Sequence, residues 1–329
     1  MEFSELTRLA SGHVEARIVQ GAVQLGIFDA IGSDSKCSRT LATERDLDPR
    51  ATELILNSLA ALELVEKNGA LFSLPPVAAK YLVRTSPHYL GGMILFDASL
   101  WNCWESLANA VRSGKPVRAT NMYQDNPTET KTFINAMDSL VKARGDAEIT
   151  ARVVNWERVK NLLDIGSGPA TYPIRLCRHF PELRATIFDL PATLEITERY
   201  VREAGLCDRI RLMAGDYRAD PIPGNYDIVL LSNIIHGEGF ENNRSLIGKL
   251  ALNLNSGGQI IVKDHILDDS RAHPPVGAIF SLLMLLTTES GRCYSFNEIK
   301  GWMEQADLSQ VQQVDLPPPL TSSLVIGTK

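Results

Sequence analysis

The chain has little excess charge of either sign, no long apolar run and no paired cysteines. Its 33 basic and 39 acidic side chains leave a formal charge of −6, so it has no bulk attraction for nucleic-acid phosphates or anionic lipid. The longest uncharged apolar run, Val276 to Leu286, is about half of the ~20 residues needed to cross a bilayer. The opening stretch MEFSELTRLASGHVEA is amphipathic and acidic, unlike a secretory signal. The five cysteines, Cys37, Cys103, Cys177, Cys207 and Cys293, are scattered and odd in number, which fits reduced thiols better than a disulfide framework or a zinc site. These absences predict a cytoplasmic protein with no nucleic-acid partner, no membrane partner and no metal.

What is present is ordinary globular composition, 44% hydrophobic and 22% charged, in a chain about twice the usual ~150-residue domain. Two folded units are expected. In the first, ARIVQGAVQLGIFDAI, SRTLATERDL and ATELILNSLAALELVEK space their apolar residues as helices do. Two strand-like runs then flank Asn68-Gly69, a hairpin signal. This helix, helix, helix, hairpin order is that of a winged helix. The third helix is dominated by Leu54, Ile55, Leu56, Leu59 and Leu62 rather than by the basic and polar side chains that read DNA, so dimerisation is favoured over DNA reading.

From residue 91 to 158 the pattern is helical again, broken by a polar stretch from Ser113 to Pro127. Beyond it NLLDIG, RATIFDL, RIRLMAGD, YDIVLLSN and GQIIVKDHIL are strand-like runs separated by helix-like ones, the rhythm of a doubly wound, mostly parallel α/β sheet. LSQVQQVDL and SSLVIGTK, joined by a Pro-rich turn, suit a closing antiparallel pair. The expected domains are 1–90, 91–158 and 159–329.

The chemistry collects at the predicted strand ends. Leu162 to Ala170 reads LLDIGSGPA, a buried strand entering a glycine turn that opens a helix, where a Rossmann-type sheet lets a cofactor approach backbone. Thr171 stands where a dinucleotide fingerprint needs its third glycine, which points to a cofactor without phosphates. Asp189 ends the next strand, where a carboxylate can accept ribose hydroxyls, and Gly215-Asp216-Tyr217 ends the third, where a purine can be bonded and sandwiched. Either Asp taken alone also suits a helix cap. The fourth strand delivers Ser232, Asn233 and His236. A neutral imidazole of pKa ~6.5 can serve as a general base, although a lone strand-end histidine often only satisfies nearby backbone.

In these strand-end residues and their order, the chain resembles the class I S-adenosylmethionine-dependent methyltransferases. More narrowly it resembles the small-molecule O-methyltransferases of the caffeic acid and hydroxyindole type. LLDIGSGPA, FDLPATLE, AGDY, YDIVLLSNIIH and SSLVIGTK carry the likeness, and AVQLGIFDAI, LATERDLD and LNSLAALELVEKNGALFSL extend it to an N-terminal winged-helix dimerisation domain. The resemblance implies a homodimer whose cofactor, S-adenosyl-L-methionine, is held by Asp164, Gly166, Gly168, Asp189, Leu190, Asp216, Tyr217 and Ser232. It implies a small, apolar, aromatic acceptor touched by Phe133, Met137 and Met284. It also implies His236 as general base with Asp264 orienting it.

Three departures bear on that likeness. Where the family carries a second acid beside the histidine this chain has Cys293, where the family has Asp-Trp after the histidine it has Gly237-Glu238, and the usual triple glycine is Gly166-Ser167-Gly168. Glu238, His265 and Glu289 stand nearby as possible substitutes for the missing acid. Phe96, Trp101, Trp104 and Phe280 are further candidates for an apolar wall, at spacings that equally suit plain core. The acceptor atom stays open between oxygen, carbon and nitrogen. A winged-helix regulator that senses a metabolite and a nicotinamide-dependent oxidoreductase are the rival readings from other classes.

Overall fold

The structure, a computed structural model, describes residues 1–118 and 126–329. By its internal packing the chain divides into two compact units. The first is Met1–Trp101 with Asn135–Ala143; the second is Asn102–Ile134 with Arg144–Lys329.

The first unit is helical with a three-stranded sheet. Its helices Phe3–Leu25, Ile27–Ile31, Ser38–Arg45, Pro49–Ala61, Pro76–Leu82 and Gly91–Ser99 surround β1 (Lys36–Cys37), β2 (Glu66–Asn68) and β3 (Leu71–Ser73), ordered β1-β3-β2 and antiparallel. The expected hairpin is present, with Gly69 at φ +60° in its turn. β1 went unread because a two-residue strand carries no periodicity. The first two helices, expected as one, are separated at Gly26. It takes φ +69°, which glycine tolerates, and a Cβ there would overlap the Arg45 guanidinium. Asp48 accepts a hydrogen bond from Ala51 N (2.8 Å) and Pro49 follows it, which starts the helix Pro49–Ala61. Ala22, Val23, Ile27, Phe28, Leu41, Leu56, Leu59 and Phe72 form this unit's core.

The second unit is built on a seven-stranded sheet. Its strands are β4 (Asn161–Ile165), β5 (Arg184–Asp189), β6 (Ile210–Ala214), β7 (Tyr226–Ser232), β8 (Leu254–Asp264), β9 (Ser309–Asp315) and β10 (Ser323–Thr328), ordered β6-β5-β4-β7-β8-β10-β9. β4 to β8 pair in parallel, and β10 inserts antiparallel between β8 and β9. This is the expected sheet, since strands alternating with helices return in the same direction whereas the short Pro-rich turn reverses the chain. β4, β7 and β8 read as near-continuous Leu, Ile and Val because both faces are covered; Leu162, Leu163, Val229, Leu230, Ile260 and Ile261 are fully buried. The order reverses between β4 and β7, so the crevice beyond their carboxyl ends is where a ligand of an open α/β sheet sits.

Replacing a fully enclosed side chain of this sheet should cost far more than replacing an exposed one. Leu163→Ala is expected to destabilise the protein by ~2–5 kcal/mol. Leu252→Ala, at 79% exposure, should stay within ~0.5 kcal/mol, as read from urea unfolding of the two variants.

Candidate active site

Each parallel strand ends by handing one polar group to the same edge. After β4 the chain turns through Gly166 (φ +62°) and Gly168 (φ +59°). A Cβ on Gly166 would overlap the Ile234 side chain, so the tight approach of this turn to the segment after β7 requires glycine. Ser167, which replaces the middle glycine, donates from Oγ to Asp164 Oδ2 (2.6 Å). Asp164 Oδ1 is buried with no partner. Burial pushes the Asp164 carboxyl up to about 7, the Ser167 hydroxyl opposing and the Asp189 charge adding to the rise.

Asp189 is 7% exposed and stabilises the turn directly: its Oδ2 accepts from Gly168 N (2.8 Å) and its Oδ1 from Leu190 N (2.7 Å). Burial raises it to about 6 despite these N–H donors. The following helix, Pro191–Glu203, has Leu190 at its N-cap position, so Asp189 is not that helix's cap. The Thr193 side chain bonds the carboxylate as well, and of its roughly four lone-pair sites one is left for a ligand hydroxyl. Thr197 Oγ1, on the same helix, donates to Gly168 O (2.6 Å), a brace that no sequence motif signalled.

Asp216 and Tyr217 follow β6 as expected, but both are engaged within the protein. Asp216 forms a fork with Arg218 (2.9–3.1 Å), whose guanidinium holds its carboxyl below the usual range. Tyr217 donates from its hydroxyl to Glu238 Oε1 (3.0 Å).

β7 ends at Ser232, earlier than the sequence suggested, because Asn233 takes φ +57° and turns the chain into a short 3-10 helix, Ile235–Gly237. Asparagine tolerates that left-handed conformation. The turn brings His236 over Asp264 at the end of β8, with Nδ1 2.9 Å from both carboxylate oxygens. Asp264 also accepts from His265 N (2.8 Å). Burial raises the Asp264 carboxyl, but the His236 imidazole and the His265 contacts outweigh it and hold the group below its ordinary value. An ionised Asp264 accepts only, so His236 carries a hydrogen on Nδ1, and in the neutral ring the lone pair then falls on Nε2.

The segment expected to supply a second acid runs close by, for a Cβ on Gly291 would overlap the His236 carbonyl. Its buried Cys293 is pushed up to about 12 by burial and by the Asp264 charge, so it stands there as a neutral thiol. Glu238 is buried but held by Tyr217 and Asn242, and Glu289 is exposed; neither supplies the missing acid.

Phe280, on the helix Pro275–Thr287, meets the His236 ring edge-on, centroids 4.9 Å apart. Met284, one turn on, is buried, and Phe133 is half-buried. Met137 is also half-buried and falls, with the buried Phe96, in the first unit. Trp101 and Trp104 are more than a third exposed, and Trp101 packs under the Arg17 guanidinium (5.0 Å). Unread in the sequence was a buried ion pair, Lys263 Nζ to Asp146 Oδ2 at 2.8 Å, with Tyr172 against it.

These residues fit S-adenosylmethionine. The close-approach glycines accept no side chain, Asp189 has acceptor capacity for a hydroxyl, and the orphaned buried oxygen of Asp164 suits a cationic ligand.

The raised Asp164 has a consequence for stability. Its folded value of about 7 against an ordinary 3.8 means that the folded chain keeps a proton that the unfolded chain releases, so stability falls as pH rises from about 4 to 7. The melting temperature of the ligand-free protein should therefore drop between pH 5 and pH 8, and Asp164→Asn should flatten that drop; an unchanged slope in the variant would show that Asp164 ionises normally.

Comparison with known proteins identifies the family. The profile of the O-methyltransferase domain matches residues 104–308, more than half of the chain, and that of the O-methyltransferase dimerisation domain matches residues 7–84. A 3-hydroxy-5-methyl-1-naphthoate 3-O-methyltransferase of Streptomyces sahachiroi is 29% identical over 98% of this chain and 94% of its own length. A tetracenomycin polyketide synthesis 8-O-methyl transferase of Streptomyces glaucescens is 29% identical over 99% and 96%. Among solved structures, human N-acetylserotonin methyltransferase in complex with SAM superposes with a TM-score of 0.90, at 21% identity over 99% of this chain and 97% of that one, which is a likeness of fold. With both profiles matched and the methyltransferase sheet in place, this chain belongs to the O-methyltransferase family and is an S-adenosylmethionine-dependent O-methyltransferase.

Proposed function

We propose that the chain methylates a hydroxyl on a small, apolar, aromatic acceptor, with His236 as general base and Asp264 as the residue that orients it. The observation that carries this reading is the bond from His236 Nδ1 to the buried Asp264 carboxylate (2.9 Å). In the neutral ring it leaves Nε2 unprotonated at the carboxyl edge of the sheet. Bound S-adenosylmethionine supplies an electrophilic methyl group. The protein's share is to hold the acceptor oxygen in line and to take its proton on His236 Nε2. Because Cys293 stays neutral, a single carboxylate supports the developing imidazolium. The aromatic acceptor class rests on relatives whose names specify a naphthoate, a tetracenomycin and acetylserotonin, and on Phe280 beside the base.

The proposed cofactor contacts are Asp164, Gly166, Gly168, Asp189, Leu190, Asp216, Tyr217 and Ser232. The proposed acceptor contacts are Phe133, Met284 and, on the sequence resemblance alone, Met137. We assign dimerisation to residues 1–90, a helical contribution to the pocket to 91–158 and catalysis to 159–329, in a cytoplasmic homodimer. The matched dimerisation profile supports the homodimer. So does the row of exposed apolar residues Phe3, Leu6, Leu9 and Val14, 49–80% exposed, on the helix Phe3–Leu25.

His236→Ala should lower kcat with a naphthol acceptor by ~10²–10⁴-fold while changing the calorimetric Kd for S-adenosylmethionine less than about twofold. Asp264→Asn should lower kcat by ~10–100-fold. Asp189→Ala should act on the cofactor instead, weakening its binding at least ~10-fold by loss of charge-assisted hydrogen bonds. Full activity in His236→Ala would refute the base. Separately, Leu6→Glu combined with Leu9→Glu should shift the protein from dimer to monomer in light scattering, and a dimer that persists would place the interface elsewhere.

A further inference from the structure

A second imidazole stands beside the base, and the reaction as derived does not use it. His265 follows Asp264 directly and is 8% exposed. Its Nδ1 lies 2.9 Å from the Thr321 carbonyl oxygen. A carbonyl only accepts, so Nδ1 carries the hydrogen and Nε2 is left as an acceptor. Burial, the largest influence on this ring, favours its neutral form. Nε2 has no partner among the described residues, yet it is not among the polar atoms sealed from solvent.

The surroundings place this acceptor next to the chemistry. The helix Pro275–Thr287 settles onto His265 through Gly277, where a Cβ would already lie 3.4 Å from His265 Cβ. One turn further along that helix, Phe280 meets both imidazoles: its centroid is 4.9 Å from that of His236 at 84° and 5.1 Å from that of His265 at 62°. One phenyl ring is therefore flanked by two histidines, each with its Nδ1 hydrogen bonded within the protein and, among the described residues, no partner at Nε2. The first has the geometry of a base. The second is tied to a backbone carbonyl rather than a carboxylate; the Thr321 bond and the Asp264 charge favour its protonated form, but burial outweighs them, so it suits hydrogen-bond acceptance better than proton removal.

We propose that His265 is a specificity-determining residue, whose Nε2 accepts a hydrogen bond from a second donor on the aromatic acceptor, a hydroxyl other than the one methylated. This rests on the aromatic-acceptor reading above and deepens it: the preferred substrates are rings bearing at least two hydroxyls. An acceptor that leaves Nε2 unpaired in a partly closed site forgoes that bond and is disfavoured.

The test compares 1-naphthol with the dihydroxynaphthalene isomers on the wild type and two variants. In His265→Asn the side-chain amide retains a donor near the Nδ1 position for Thr321 O and removes the Nε2 acceptor. In His265→Gln the amide reaches the Nε2 position and loses the Thr321 contact. The wild type should prefer at least one dihydroxy isomer by ~10-fold in kcat/KM over 1-naphthol. His265→Asn should abolish that preference, read as the kcat/KM ratio of the dihydroxy isomer to 1-naphthol within the variant, and His265→Gln should retain it. A purely structural role predicts the reverse order, with His265→Asn resembling wild type, and that outcome overturns the inference. Equal preference in all three proteins overturns it as well. If the wild type methylates none of these phenols although it binds S-adenosylmethionine, the aromatic-acceptor reading fails and this inference with it.

Discussion

Parallel pairing forces the carboxyl ends of β4 to β8 onto one edge of the sheet, and the polar groups proposed for the cofactor and the base emerge there. Strands that run the same way leave the sheet on the same side, so Asp164, Asp189, Ser232 and Asp264, far apart in sequence, become neighbours without any long-range signal between them. The reversal of strand order between β4 and β7 opens the crevice in which the glycine turn and the His236 segment face each other. The overlap that a Cβ on Gly166 would make with Ile234 records how closely those two segments approach.

Within that crevice burial is used in two opposite ways. Asp164 and Asp189 are enclosed with few or only neutral donors, and their carboxyls rise to about 7 and about 6. Asp264 is equally enclosed but carries an imidazole and a backbone N–H, and falls below its ordinary value. Burial without a cationic partner raises the first two, whereas the third faces an imidazole, is held ionised and fixes a hydrogen of His236 on Nδ1. Close beneath, Lys263 and Asp146 form an ion pair with side chains 1% and 3% exposed. Desolvating two charges is expensive unless the geometry is good, and this pair ties the helix Asp146–Val153 to the strand that presents Asp264.

Much of this was legible in the sequence because it is local. The hairpin at Asn68-Gly69, the glycine turn of LLDIGSGPA, the acids ending β5 and β8 and the antiparallel tail each follow from a few adjacent residues and a periodicity. Even the absence of the second acid could be read from Cys293. The break at Gly26 and the early end of β7 at Asn233 were missed for the same local reason. A single residue in a left-handed conformation interrupts an element without disturbing its hydrophobic pattern.

By itself, the order of apolar periods and strand-end polar residues determined the sheet, the order of its strands in the chain and the edge that carries the site, while the pairing of His236 with Asp264 came from the family resemblance. Tertiary structure alone decided which polar groups are spent on the protein and which remain for ligands. Asp216 is taken by Arg218, Tyr217 by Glu238 and Asp146 by Lys263, while Asp164 Oδ1 and the Nε2 atoms of His236 and His265 are left without a partner among the described residues. Periodicity reports only whether a residue faces core or solvent. Hydrogen bonding depends on distances of a few tenths of an ångström between segments that meet only when helices and strands pack.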